Sequence, residues 1–218
     1  MSIQRNRRLH RWQGGKIPGW GITVLGTAII SIVLAAGQVS ALPEQPDANV
    51  PETSSTVFAI VQSGNVIYLG GDFAEIGGVS RRGLAAFDAT TGEVDSNWNP
   101  KVLGRVYTIV VYGGKVYAGG DFSKVSGTII RNHLAAFELA GSGKAGLVDP
   151  DWNPNITGSR YDDVYALVVD GTNERVYAGG AFKTVNGSVA RHRLAAFELA
   201  GESKAGLCRF ELESPPCR

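Results

Sequence analysis

The residues best suited to chemistry in this chain recur at matching positions. Arg81, Arg131 and Arg191 each stand three residues before the leucine of a Leu-Ala-Ala-Phe string. Asp72 and Asp121 each follow a double glycine, in Gly70-Gly71-Asp72-Phe73 and Gly119-Gly120-Asp121-Phe122, while the third copy reads Gly179-Gly180-Ala181-Phe182. A ring of guanidinium and carboxylate groups could hold a polar ligand through charge-assisted hydrogen bonds. The structural alternative, an Arg paired with the Asp within or between repeats, is preferred. Trp98 and Trp152 could stack on a sugar, but their place in the repeat reads as core.

Other candidates fall away on spacing. Gly141-Ser142-Gly143-Lys144 hints at a phosphate loop, yet Glu138 stands where the first glycine belongs and Ala145 where Ser or Thr belongs. Copy three repeats the segment as Gly201-Glu202-Ser203-Lys204-Ala205, which reads as a turn. His133 and His192 are not in equivalent positions and have no Cys or carboxylate cluster nearby, so no metal site is expected. No serine lies in a nucleophile-elbow pattern. Catalytic and cofactor-binding residues are therefore expected to be none.

The elements that carry these residues form three copies of one unit. Copy one runs through Val57-Phe58-Ala59-Ile60-Val61, Val66-Ile67-Tyr68-Leu69-Gly70-Gly71, Leu84-Ala85-Ala86-Phe87 and Asp95-Ser96-Asn97-Trp98-Asn99-Pro100. Copy two has Val106 to Val110, Val116 to Gly120, Leu134 to Phe137 and Asp149 to Pro154; copy three has Val164 to Val168, Val176 to Gly180 and Leu194 to Phe197. Leu134 to Leu194 is ten residues longer than Leu84 to Leu134, and all ten fall in turns. Each copy predicts four strands. The first is nearly continuous apolar, as when both faces are covered. Ser63-Gly64-Asn65 and Gly113-Gly114 close hairpins. The double glycines leave room for a neighbouring backbone or permit a bulge. A short fourth strand ends at Trp-Asn-Pro.

This ordered string, Tyr-x-Gly-Gly-x-Phe, Arg, Leu-Ala-x-Phe and Asp-x-x-Trp-Asn-Pro, resembles the bacterial delta-60 repeat β-propeller family over about residues 56 to 206. A weaker likeness is to kelch repeats, of the same architecture. The resemblance implies an all-β, propeller-type fold in exported or surface proteins and no settled activity. Gly-Gly-Asp-Phe also resembles the diguanylate cyclase signature, but it is one acidic residue short and recurs in each copy, unlike a catalytic loop. The repeats are set at 56–104, 105–162 and 163–207.

The N-terminus predicts export. Arg5, Arg7, Arg8, Arg11 and Lys16 precede an uncharged run from Ile17 to Pro43 whose apolar heart is Ile22 to Ala36, and Val39-Ser40-Ala41 supplies small residues. That order predicts a signal peptide over 1–41, cleaved after Ala41. The alternative is an uncleaved membrane anchor over 19–41, since roughly 20 apolar residues span a bilayer. Residues 42–55, with three prolines, read as a linker or extended lead-in. Without the five N-terminal cations, 16 basic residues face 20 acidic ones, which argues against nucleic acid as a partner.

Closed propellers use four to eight blades. Here the third copy gives way at Cys208 to a divergent tail, 208–218, in which Cys208 and Cys217 could pair after export. An open sheet face of roughly 300 Å² would leave up to about 8 kcal/mol of apolar burial unrealised. The chain is therefore expected to be a truncated or frame-shifted part of a longer protein, or a short chain that self-associates through open faces. The functional expectation is a non-catalytic surface or secreted scaffold for a protein or glycan ligand. Alternatives are a fragment of a propeller enzyme with its catalytic residues elsewhere, or a purely structural cell-envelope protein.

Overall fold

A computed structural model describes residues 47–157 and 162–201. The signal or anchor over 1–41, the Ala41 cleavage site and the Cys208–Cys217 pair lie outside the described residues. The chain divides into units Met1–Glu44 and Gln45–Arg218, and only the second is described.

The described residues are all-β. Repeat one carries β1 (Val57–Ser63), β2 (Val66–Gly71), β3 (Glu75–Ile76), β4 (Val79–Ser80) and β5 (Leu84–Asp88). Repeat two carries β6 (Val106–Tyr112), β7 (Lys115–Gly120), β8 (Lys124–Val125), β9 (Ile129–Ile130) and β10 (Leu134–Glu138). Repeat three carries β11 (Val164–Asp170), β12 (Arg175–Gly180), β13 (Thr184–Val185), β14 (Val189–Ala190) and β15 (Leu194–Glu198). Each repeat is a three-stranded antiparallel sheet, ordered β1-β2-β5, β6-β7-β10 and β11-β12-β15, with a two-stranded hairpin inserted before the third strand.

Two expectations about strands are corrected. The fourth strand shrinks to one bridge, Phe87 with Val94 and Phe137 with Val148. Just beyond it, Asp95 Oδ1 accepts the amides of Asn97 and Trp98 at 2.8 and 3.2 Å, and Asp149 Oδ1 accepts those of Asp151 and Trp152 at 3.1 and 3.0 Å. These side-chain bonds turn the backbone away from the ladder before a strand can extend. The small hairpins β3-β4, β8-β9 and β13-β14 were not expected. Each turns on two successive left-handed residues: Gly77-Gly78, Ser126-Gly127 and Asn186-Gly187. That is the backbone of a type I′ turn, for which Asn-Gly is a strong signal. Asn186 thus serves a turn.

Each glycine of the double pairs has its own task. The first strands carry a bulge at Val57/Ala59, Val106/Thr108 and Val164/Ala166. The bulge drives the preceding carbonyl toward the second glycine, where a β-carbon on Gly71, Gly120 or Gly180 would collide with the carbonyl oxygen of Thr56, Arg105 or Asp163. The first glycine faces the next repeat instead. A β-carbon on Gly70 would stand 2.7 Å from Val106 Cγ1, and one on Gly119 would stand 2.5 Å from Val164 Cγ1.

The sheets pack face against face, β1 on β6 and β6 on β11. One core joins repeats one and two through Tyr68, Leu84, Ala86, Trp98, Val106, Phe122 and Phe137. A second joins repeats two and three through Tyr117, Leu134, Ala136, Trp152, Val164, Phe182 and Phe197. The first strands are not uniformly covered: Ile60 on β1 and Val168 on β11 are exposed, because they face away from the stack.

One left-handed position distinguishes the copies. Gly83 has φ 71°, and its counterparts are His133 at 66° and Arg193 at 70°. A side chain is strained there. His133→Gly is expected to raise stability by about 0.5–1 kcal/mol in urea titration, the relieved strain exceeding the added unfolded-chain entropy. A loss would mean that the imidazole, 3.3 Å from the Gly120 carbonyl, holds the turn.

Candidate functional site

The repeated arginines do not ring a surface. Arg81 and Arg131 are buried, and each binds backbone carbonyls: Arg81 Nη1 to Ser80 at 2.7 Å and Nη2 to Asp95 at 2.9 Å; Arg131 Nη1 to Ile130 at 2.9 Å and Nη2 to Asp149 at 3.0 Å and Pro150 at 2.9 Å. Arg191 Nη1 likewise donates to the Ala190 carbonyl at 2.7 Å. The expected pairing with Asp72 and Asp121 does not occur. The intervening hairpin folds the Arg back onto its own repeat, where it buttresses the Asp-x-x-Trp turn. Burial lowers the pKa of both Arg81 and Arg131. The flat guanidinium still satisfies several carbonyls in one plane, which an ammonium could not. Trp98 and Trp152 are fully buried core residues.

What the bulges gather is a different set of residues. The extra residue in each bulge is aromatic: Phe58, Tyr107 or Tyr165. A bulge re-aims its side chain, and here the three rings form a row. Phe58 and Tyr107 have centroids 5.3 Å apart at 65°, and Tyr107 and Tyr165 lie 5.5 Å apart at 41°. Phe58 is 45% and Tyr165 53% exposed.

Polar groups flank this row. The residue after each double glycine donates its amide to the carbonyl just before the bulge: Asp72 to Thr56 at 2.9 Å, Asp121 to Arg105 at 3.0 Å and Ala181 to Asp163 at 2.9 Å. This brings the Asp72 and Asp121 carboxylates to the same rim. Arg105 spans two repeats there, with Nε 3.0 Å from Asp72 and Nη1 3.3 Å from Asp121. Its amide also donates to Asp121 Oδ1 at 2.6 Å. Tyr107 donates to Asp121 Oδ2 at 3.3 Å, and Tyr165 donates to Asp163 Oδ2 at 3.0 Å.

The electrostatics follow from these contacts. The hydrogen bond that Arg105 donates to Asp72 leads in raising the Arg105 pKa. Burial, then nearby carboxylates, raises that of Tyr107, and the Asp163 bond raises that of Tyr165. Both phenols stay protonated at neutral pH and act as donors. The rim therefore offers apolar ring surface, hydroxyl donors and carboxylate acceptors side by side. Among the described residues no group of His, Cys, Asp and Glu could hold a metal ion.

No family model matches the chain, and no curated protein matches it. Among solved structures it is similar to the computationally designed Ika8 protein, at 14% identity and a TM-score of 0.42, over 66% of this chain and 34% of that one. The chain thus spans about a third of that structure's length.

Sequence reasoning placed Asp72 and Asp121 at candidate positions but missed Phe58, Tyr107 and Tyr165. Their signal was present: an aromatic in the second position of the first strand in all three copies, where an alternating strand would not need one. Lys115, which joins Glu138 at 2.6 Å and Asp149 at 2.9 Å, was also missed. Repeat comparison hides it, because Val66 and Arg175 stand at the equivalent positions.

Proposed function

We propose that the repeats are blades of a β-propeller of the delta-60 type, and that the chain is an exported, non-catalytic scaffold binding a protein or glycan ligand at the bulge rim. The observation that carries this reading is the row Phe58, Tyr107, Tyr165 with its flanking carboxylates. Three independent bulges aim aromatic rings outward at one level, and the core requires none of them there. Aromatic faces supply large contact area at small conformational cost, and the adjacent hydroxyls and carboxylates orient a polar partner. At the rim Arg105 pairs with Asp72 and Asp121, and Asp163 accepts from Tyr165, an arrangement that suits recognition more than acid–base chemistry. Export rests on the order of basic, apolar and small residues before Leu42.

The test is a glycan array and a protein-interaction screen with the full-length protein, repeated with Phe58→Ala/Tyr165→Ala. Both side chains are exposed, so the variant is expected to stay folded while losing on the order of tenfold or more in affinity. Consistent silence in both screens, or binding indifferent to the double variant, sinks the reading.

A further inference from the structure

We propose that a second copy of this chain docks head to tail, the outer face of its first repeat covering the outer face of the third repeat. This does not depend on the rim binding a ligand. Each joint within the chain has two halves. One half is a Tyr, a Leu, an Ala and a Gly on the earlier sheet: Tyr68, Leu84, Ala86 and Gly70 in the first joint, and Tyr117, Leu134, Ala136 and Gly119 in the second. The other half lies on the later sheet and includes Val106, Ile109, Phe122 and Phe137, or Val164, Leu167, Phe182 and Phe197.

Among the described residues both halves also occur unmatched. The third sheet carries Tyr177, Leu194, Ala196 and Gly179 at the positions of the first half. Leu84 and Leu134 are fully buried, whereas Leu194 is 64% exposed. A β-carbon on Gly179 would meet nothing nearer than 3.9 Å, although its counterparts are pressed by the valine of the following repeat. The first repeat carries the second half as a separate cluster of Leu69, Phe73, Ile76, Ala85 and Phe87, with Val57 and Ile67 packed against it. Ile60, the counterpart of Ile109 and Leu167, is 69% exposed. An open trough of about 940 Å³ lies over this face, lined by Val50, Val57, Ile60, Ile67, Leu69 and Phe87 among others.

The two open faces are therefore the two halves of a joint that the chain already makes twice. Docked in the same register, the third repeat of one copy receives the first repeat of the other as Gly119 receives Val164. At the rim this sets Ala181 beside Thr56, so no like charges meet. Such a contact is heterologous and closes only if the rotation completes a ring. The described repeats of two copies number six, within the four to eight that close propellers.

The test uses the full-length protein, with light scattering and sedimentation read against concentration. The wild-type chain is expected at the mass of two copies. Ile60→Arg damages one half and Leu194→Arg the other. Both sites are exposed in the single chain, so each variant keeps its β spectrum and melting transition. Alone, each is expected to associate on the order of tenfold or more weakly. Mixed in equal amounts they regain association, because the intact third repeat of Ile60→Arg meets the intact first repeat of Leu194→Arg. A face that paired with itself would leave one variant fully associated and show no such rescue. A monomeric wild-type chain, association unchanged in both variants, or a mixture that fails to recover overturns the proposal.

Discussion

Trp98→Ala is expected to lower the unfolding free energy by about 3–5 kcal/mol, the range for removing a large buried aromatic. Trp98 is fully buried, yet it belongs to the turn leaving repeat one and serves the joint with repeat two. Its ring meets Tyr68 edge-on, with centroids 5.0 Å apart. Its Nε1 donates to the Glu138 carbonyl of repeat two at 2.8 Å, and Tyr68 accepts the Ala140 amide at 3.0 Å. Repeat two copies the arrangement, with Trp152 donating to Glu198 at 2.7 Å and Tyr117 accepting from Ala200 at 3.0 Å. Burial leads in raising the Tyr117 pKa, to about 12, so its hydroxyl stays protonated while its oxygen accepts. The truncation removes both the filled volume and a bond across the joint. Trp98→Phe, which keeps much of the volume but removes the indole bond to the Glu138 carbonyl, still reached by the Gly146 amide at 3.2 Å, is expected to cost about 0.5–1.5 kcal/mol. Urea titration measures both. A loss below about 1 kcal/mol for Trp98→Ala would show that the joint is held by the sheets without the tryptophan.

Lys115→Met is expected to cost a similar amount, about 3–5 kcal/mol, because it strands a buried carboxylate. The side chains of Lys115 and Asp149 are only 11% and 6% exposed and lie 2.9 Å apart. Burial alone would raise the Asp149 pKa, but the Lys115 ammonium and the amides of Trp152 and Asp151 outweigh it and hold it below the ordinary carboxylate value. Burial likewise opposes the charge on Lys115, and its bonds to Glu138 and Asp149 outweigh that and raise its pKa.

The pH dependence follows with a definite sign. A carboxyl whose folded pKa is depressed stabilises the fold fully above its unfolded value, near 3.8, and loses that contribution as pH falls through the folded value. A raised lysine contributes below its unfolded value, 10.5, and loses that as pH rises through the folded one. The gap between wild type and Lys115→Met is therefore expected to narrow below about pH 4 and again above about pH 10.5. Adding Asp149→Asn should recover most of the loss, since the amide oxygen keeps the cap on Asp151 and Trp152 without a charge to strand. A gap independent of pH, with no recovery in the double variant, would assign the loss to packing.

Much of this architecture was legible in the sequence, residue by residue. Tyr-x-Gly-Gly, Leu-Ala-Ala-Phe and Asp-x-x-Trp recur because each repeat solves the same packing problem, and recurrence exposes what a joint needs. The double glycine could be read as room for a backbone or for a bulge, and both hold at the second glycine, which admits the carbonyl before the bulge; the first makes room for a valine side chain of the next repeat. The all-β class and the places of the main strands followed from the same strings. Asn186-Gly187 carried the hairpin signal openly.

What tertiary structure alone decided concerns partners distant in the chain. The arginines align with the aspartates of the glycine strings in sequence, yet they bind carbonyls at Asp95 and Asp149, because a hairpin reverses the chain between them. Arg105 instead joins Asp72 to Asp121, a link across repeats that no local spacing encodes. Composition and periodicity determine which side chains are apolar and which strands form. Whether an aromatic is buried or presented depends on the bulge beneath it, and whether a face is core or surface depends on which sheet stands opposite. Leu84, Leu134 and Leu194 make the point: the string around them is the same in all three copies, and only the neighbour across the stack makes two of them core and leaves the third exposed.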